Sequence, residues 1–293
     1  MAVNNKRSQY WAAAVLVAPF VIAQIVLFLY PTSQMVRLSF TDAPLIGEGS
    51  WVGLDNYARL IGDRLFLRAT WNTFYFVLLT VVPTTLLGLM IGMMVTRLKG
   101  WLQAAVLACF FLPFVLPITV VTTIWEWVLD LQFGIAQYLI EPIVGERVSV
   151  FRTRAWAMPG VAIVTIWWTI GFTVLLFVAG LRNISPDLYE AASLDGASAW
   201  EQFRYITWPL IWPVTALVLT IQLIAQLKIF DQVYILTEGG PANSTYVLVQ
   251  YIFRQAFQLN KGGYASTVAV FLFFIIVALS VFQYQVLRTR DSR

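Results

Sequence analysis

The sequence predicts an all-α, polytopic membrane protein with six transmembrane helices, and three observations carry that expectation. Only 12% of the 293 residues are charged and 59% are hydrophobic, with a mean hydropathy of +0.75; soluble domains carry about 25% charged residues. Charge-free runs cover residues 9–36, 69–96, 100–125, 155–181, 205–227 and 262–287. Each exceeds the roughly 20 residues that a helix needs to cross the hydrocarbon core. Such runs must be helical, because a backbone amide left unpaired in lipid costs several kcal/mol.

The elements follow in order. The first span is placed at about residues 11–31. Its run is longer than the ~7–15 residues of a signal-peptide core, and no small-residue cleavage site follows, so it reads as an uncleaved helix. Lys6 and Arg7 precede it and predict a cytoplasmic N-terminus. The second span, residues 70–96, contains Gly88 and Gly92 in the spacing that lets helices approach closely. Arg97 and Lys99 mark a tight cytoplasmic turn before the third span, residues 102–127, which carries Pro113 and Pro117 and is expected to kink there. The fourth span is residues 156–181, the fifth 207–234 and the sixth 264–287. Six crossings return Arg288, Arg290 and Arg293 to the cytoplasm, so both termini lie inside. Residues 246–257 are apolar and too short to span, which predicts an outer interfacial or re-entrant helix.

With no histidine and one cysteine, Cys109, disulfides and zinc sites are excluded. The basic residues are scattered, which argues against nucleic acid. No Gly-x4-Gly-Lys-Ser/Thr occurs, so the chain has no loop to cradle nucleotide phosphates. The outer basics Arg37, Arg59, Arg64 and Arg68 are matched in sequence by Asp42, Glu48, Asp55 and Asp63, which dilutes any argument for a charged solute.

One polar insert, residues 183–206, lies between two long uncharged stretches. Ser185, Pro186 and Asp187 make a helix start: an accepting hydroxyl, a residue preset for the first turn, and a charge suited to the positive dipole end. Gly196 suits the left-handed residue that ends that helix. Ser198 with Glu201 predicts a capping box that begins a second helix leading into the fifth span. Ala191 and Ala192 keep the first helix narrow on one side, Leu188 and Leu194 add apolar grip, and Glu190 and Asp195 offer charge. A narrow, exposed helix of this kind fits a groove on a soluble partner; packing on the chain's own underside is the alternative.

Inside the fifth span, Gln222 and Gln226 share one face. Their amides both donate and accept, which suits sugar hydroxyls, and equally suits bonds that hold a bundle together. Lys228 and Asp231 stand i,i+3 and are expected to pair on the same helix near its outer end.

The insert resembles the EAA loop of ABC-type import permeases, through Glu190, Ala191, Ala192, Gly196, Ile206 and Pro209; Trp208 stands where that family usually has leucine. The segment Trp51-Val-Gly-Leu-Asp-Asn-Tyr57 resembles the carbohydrate-uptake branch, as do Asn72-Thr73, residues 125–134, Glu238-Gly-Gly-Pro241 with Ser244-Thr245, and Gly262-Gly-Tyr-Ala265. The similarity covers most of the chain and is closest to the first permease of maltose-type transporters. It implies a single transmembrane permease domain over residues 1–293 with the type I ABC importer fold, in the inner membrane. It implies a second homologous permease, a dimer of ATP-binding subunits that carry ATP and Mg, and an extracytoplasmic solute-binding protein, with no cofactor or catalytic residue on this chain. The EAA resemblance assigns ATPase coupling to Glu190, Ala191, Ala192, Leu194, Asp195 and Gly196. The carbohydrate branch places solute contacts on the fourth and fifth spans, at Gly171, Phe172, Thr173, Gln222 and Gln226. A self-sufficient secondary transporter or channel is the competing class; it calls for ionisable residues at mid-membrane, and the central parts of these spans hold almost none.

Overall fold

The computed structural model describes the backbone of residues 3–291 and the side chains of residues 10, 11 and 13–285. The orienting residues Lys6, Arg7, Arg288, Arg290 and Arg293 lie outside the described side chains. Among the described residues there is no strand, only an isolated bridge between Thr41 and Trp51. The helices in chain order are α1 (Val3–Gln24), α2 (Tyr30–Leu38), α3 (Asp55–Gly62), α4 (Arg64–Thr96), α5 (Gly100–Val115), α6 (Ile118–Val128), α7 (Gln137–Val144), α8 (Arg154–Arg182), α9 (Pro186–Leu194), α10 (Ala199–Gln202), α11 (Trp208–Leu227), α12 (Asp231–Thr237), α13 (Leu248–Phe253) and α14 (Gly262–Asp291). Two compact units are distinguished: Met1–Asp63 with Ile252–Phe273, and Arg64–Tyr251 with Phe274–Arg293.

Five continuous helical stretches are long and apolar enough to cross a membrane: Ala13–Leu38, Arg64–Thr96, Arg154–Arg182, Ala199–Leu227 and Gly262–Gln285. The third expected span is different. It breaks into α5 and α6, which meet at a bend of 102°. Leu116 precedes Pro117 and is pushed into extended backbone (φ −70, ψ 140), so the helix stops and restarts. At 1.5 Å per residue neither arm reaches across a ~30 Å core alone. The expected kink is thus a full corner, and residues 102–127 do not form one straight crossing.

The fifth span also departs from expectation. The helix begins in the polar insert at Ala199 and runs through a π-turn at Phe203–Thr207, just before Pro209. A proline ring has no N–H to give, and the wider turn absorbs the lost bond. The helix ends at Leu227, not at residue 234, and Lys228 caps it outside helical geometry. Asp231 then opens the separate helix α12. The expected Lys228–Asp231 pair on one helix is therefore absent, because the helix ends between the two residues.

In the first unit, Asn56 Nδ2 donates to the carbonyls of Ser39 (3.0 Å) and Thr41 (2.8 Å), and Tyr57 shares a hydrogen bond with Ser39 (2.7 Å). Gly263 N–H reaches the Ala43 carbonyl at 2.8 Å, and Thr267 Oγ1 donates to Ser39 at 3.0 Å. The Trp51–Tyr57 and Gly262–Ala265 motifs, about two hundred residues apart, close the same knot of backbone.

In the second unit α8 is the central post. Its Phe177 packs with Leu89 of α4 and with Ile211 and Val218 of α11. Val174 and Val178 pack with Val95 of α4, against Phe110 of α5. A side chain at Gly88 would collide with Thr173, and one at Gly92 would sit 3.0 Å from Phe177 Cβ. These two glycines thus let α4 lie directly on α8. A second knot forms at the opposite end of the chain of contacts: Asn72 Nδ2 donates to the carbonyls of Asn243 (3.0 Å) and Tyr246 (2.9 Å), and Leu248 N–H donates to Thr73 Oγ1 (3.0 Å). Within residues 246–257 a helix forms from Leu248 and runs on through a π-turn at Arg254–Gln258, with Leu248, Gln250 and Tyr251 buried.

Candidate coupling helix and membrane pathway

The polar insert folds as its residues dictate. Ser185 Oγ accepts from Asp187 N–H at 3.3 Å and starts α9. Gly196 takes φ +80 and closes α9: Ala197 N–H returns to the Ala192 carbonyl (2.9 Å) and Gly196 N–H to the Ser193 carbonyl (3.1 Å). That pair of bonds is the Schellman closure, which requires a left-handed residue at this position. The Ser198–Glu201 capping box is complete, with Ser198 N–H on the Glu201 carboxylate at 2.7 Å and Glu201 N–H on Ser198 Oγ at 3.4 Å. Hydrogen bonds from the Ser198 side chain and backbone hold the Glu201 carboxyl below its ordinary range.

Two side-chain contacts tie α9 to the segment that leads into α11, and a further pair joins the membrane helices at the foot of α8. The Tyr189 hydroxyl meets Thr207 Oγ1 at 2.9 Å, where α11 begins. Gln202 Nε2 donates to Ser193 Oγ at 2.9 Å, across the glycine turn. At the foot of α8, Arg182 donates to Gln103 Oε1, and Gln103 Nε2 donates to the Val95 carbonyl at 2.8 Å, joining α8, α5 and α4. A cavity of about 550 Å³ lies beside this framework, lined among others by Met93, Arg97, Arg182, Tyr189 and Gln202. These tying residues carry no sequence signal of their own. Only the fold brings Gln103 and Arg182 together across 79 positions.

The residues expected to grip a partner are turned outward. Glu190, Ala191, Leu194, Asp195 and Gly196 are exposed, and Ala192 is half-buried. Leu194 is 90% exposed, with Trp200 and Tyr205 also open. Among the described residues no side-chain hydrogen bond or ion pair is formed by Glu190. Nothing lies within 4 Å of a Cβ built at Gly196. The inner face of the insert, at Tyr189 and Ala192, rests on its own chain, and the outer face is open.

Of the five residues expected along the pathway, Thr173, Gln222 and Gln226 are brought together between α8 and α11, whereas Gly171 and Phe172 turn toward α5. Gln222 and Gln226 are 4% and 3% exposed. Gln226 Nε2 donates to Gln222 Oε1 (3.0 Å), and Gln222 Nε2 donates to Thr173 Oγ1 (2.9 Å), so a polar chain crosses from α11 to α8. Gly171 is buried where α8 meets α5; a side chain there would collide with the Phe110 carbonyl. Phe172 is half-buried and stacks on Phe114 at 5.1 Å between ring centroids, with planes 16° apart. In this conformation Gly171, Thr173, Gln222 and Gln226 offer a solute no surface. Among the described residues no group of three histidine, cysteine or carboxylate side chains is placed to hold a metal ion.

Comparison with known proteins agrees with this architecture. Residues 84–291 match the family described as binding-protein-dependent transport system inner membrane component. The chain is 32% identical over 292 residues to the multiple sugar-binding transport system permease protein MsmF of Streptococcus mutans, covering 97% of each. It is 30% identical over 281 residues to the sulfoquinovosyl glycerol transport system permease protein SmoG of Agrobacterium fabrum, covering 95% of this chain and 91% of that one. It is 30% identical to the trehalose/maltose transport system permease protein MalF of Thermococcus litoralis, covering 94% and 93%. A crystal structure of a bacterial ABC transporter that imports the acidic polysaccharide alginate contains a chain of the same fold, with TM-score 0.84, 24% identity and 99% of both chains covered.

Proposed function

Since the chain belongs to the family of binding-protein-dependent transport system inner membrane components, a family of multi-pass membrane permeases and not of enzymes, we propose that it forms the translocation pathway of an ATP-driven carbohydrate importer together with a second homologous permease. ATP and Mg then act on a separate dimer of ATP-binding subunits. An extracytoplasmic solute-binding protein delivers the sugar on the opposite side, and both termini are cytoplasmic. The named relatives serve sugars and a sugar glycoside, which supports a carbohydrate for this chain.

The observation that carries the proposal is α9: a helix capped at both ends, pinned to α11 through Tyr189 and Thr207, yet presenting Glu190, Ala191 and Leu194 to nothing in its own chain. Closure of the ATPase dimer pushes on this helix, and the pinned contacts pass the displacement to α11 and α8 as a rigid-body motion. Ala191 and Ala192 let the helix seat closely, Leu194 supplies apolar contact, Asp195 and Glu190 meet basic partner residues, and Gly196 sets the angle of exit. Of the two roles open to Gln222 and Gln226, their geometry favours holding α11 to α8, so that the two helices move together. Phe172, partly open, is the one member of that group with surface to offer a sugar ring.

The test is ATP hydrolysis by the reconstituted importer. Glu190→Lys should leave membrane insertion intact and remove stimulation of hydrolysis by the loaded binding protein. Normal stimulation in that variant overturns the assignment of α9, and solute flux through this chain without any ATPase subunit overturns the class.

A further inference from the structure

Deepening the carbohydrate reading, and resting on it, we propose that the outer end of the α4–α8 pair is a binding site for an anionic sugar, one that carries a carboxylate, sulfonate or phosphate. A cavity of about 550 Å³ opens there, lined by Arg64, Arg68, Trp71, Asn72, Tyr75, Arg154, Ala155, Met158, Pro159 and Ser244. Three arginines converge on it and no carboxylate lines it. All three are exposed, and among the described residues none forms an ion pair.

The placement follows from helix geometry. Arg64, Arg68, Trp71 and Tyr75 recur at i, i+4, i+7 and i+11, and so share one face of α4. The two helices run parallel, with Gly88 beside Thr173 and Gly92 beside Phe177, and nearer their first turns Phe76 packs in one cluster with Met158 and Val161. The first turns of α4 and α8 therefore supply the guanidinium groups from two helices. These ends lie opposite the insert that follows α8, ~40 Å away for a 29-residue helix at 1.5 Å per residue. The cavity is on the far side of the membrane from α9, where solute arrives.

Like charges around a concave, low-dielectric wall reinforce one another's field. Guanidinium forks match the planar, paired oxygens of carboxylate, sulfonate and phosphate. Trp71 and Tyr75, both exposed, add flat rings against which the C–H face of a sugar can lie. Arginines that merely snorkel to the interface from isolated helix ends have no need to share a cavity or to surround aromatic rings.

The experiment uses the complete importer in nanodiscs of zwitterionic phosphatidylcholine, titrated with D-glucuronate and with D-glucose at constant ionic strength. Binding is read as the tryptophan fluorescence change that a Trp71→Phe importer lacks. Glucuronate should bind at least about tenfold more tightly than glucose, the factor expected from one charge-assisted hydrogen bond. Inorganic sulfate should compete. The variant Arg64→Gln/Arg68→Gln/Arg154→Gln should bring the two sugars within about twofold of each other, and Arg→Lys at the same positions should restore part of the preference. Retention of the ATPase subunits by each variant checks that it is assembled. Equal binding of the two sugars, no binding of either, or a preference that survives the triple variant overturns the proposal. So does loss of the glucuronate signal when phosphatidylglycerol replaces part of the phosphatidylcholine, which identifies a lipid headgroup as the occupant. None of these outcomes touches the ATP-hydrolysis test of α9, so failure here is distinguishable from failure of the carbohydrate-importer reading.

Discussion

Replacing Gly196 by alanine and, separately, by tryptophan distinguishes the strain of a turn from the cover of a partner. Gly196 sits at φ +80 with nothing within 4 Å of a built side chain. Any L-residue there meets the left-handed penalty of about 1–2 kcal/mol. Removing glycine also restricts the unfolded chain, which returns about 0.4–1 kcal/mol. The net cost is therefore about 1 kcal/mol, and the open space at the Cβ position predicts a similar cost for the two side chains in the free chain. Thermal unfolding of the detergent-solubilised permease pair, without ATPase subunits, should place the two variants together and slightly below wild type. Adding the ATPase subunits should separate them. The alanine variant should retain them on an affinity column nearly as wild type does, whereas tryptophan should weaken retention by at least tenfold, a difference of ~1.4 kcal/mol. If tryptophan retains the ATPase as well as alanine does, nothing covers the turn and the reasoning fails. If tryptophan is far less stable before any ATPase is added, the open space around Gly196 is wrong.

Gln222→Leu should lower the thermal midpoint of the permease more than Gln226→Leu, because it strands both the Thr173 hydroxyl and the Gln226 amide; each stranded buried group costs about 1–3 kcal/mol. Equal, negligible effects on the midpoint would return both glutamines to the list of solute contacts. Gly171→Ala should prevent correct assembly of α8 on α5, since the opposing group is the Phe110 backbone and cannot rotate away; expression at wild-type level with an unchanged elution profile would contradict that packing. Tyr189→Phe should leave ATPase retention intact while reducing stimulation of hydrolysis, because it cuts the Tyr189–Thr207 link but not the docking face; unchanged stimulation would show that force travels elsewhere. The capping box gives a pH signature. Because the folded Glu201 pKa is lowered, its stabilisation is present above the ordinary carboxylate range and is lost as pH falls through the depressed value. Hydrogen exchange of the amides of Ala199–Gln202, corrected for intrinsic rate, should show protection falling in acid; Ser198→Ala should weaken that dependence, since the residue 198 backbone N–H still donates, and Glu201→Gln should abolish it.

Much of the polar insert was legible in the sequence, because helix caps are local. A serine, a proline, a glycine and a serine–glutamate pair act on neighbours within four residues, so Ser185, Gly196 and Ser198 declare their roles without a fold. The six apolar runs were legible for the same reason: a bilayer imposes length and composition on each segment independently. The break at Leu116–Pro117 was half visible, since proline constrains the residue before it, but the 102° corner depends on what α6 packs against. The end of α11 at Leu227 coincides with the end of a charge-free run at Lys228, so it was legible; extending the span to residue 234 read past two charges, Lys228 and Asp231.

The chain's own residues settled that it is a helical membrane protein bearing one polar, well-capped helix between two apolar stretches. The fold decided which polar side chains are spent inside and which remain free. Gln222 and Gln226 share a face on paper whatever they touch; only packing of α11 on α8 turns that face onto Thr173. Arg64 and Arg68 stand beside Asp63 in a string of letters, and only three-dimensional placement gathers both with Arg154 around one open cavity. Electrostatic balance depends on distance through space, and the order of residues along the chain does not contain that distance.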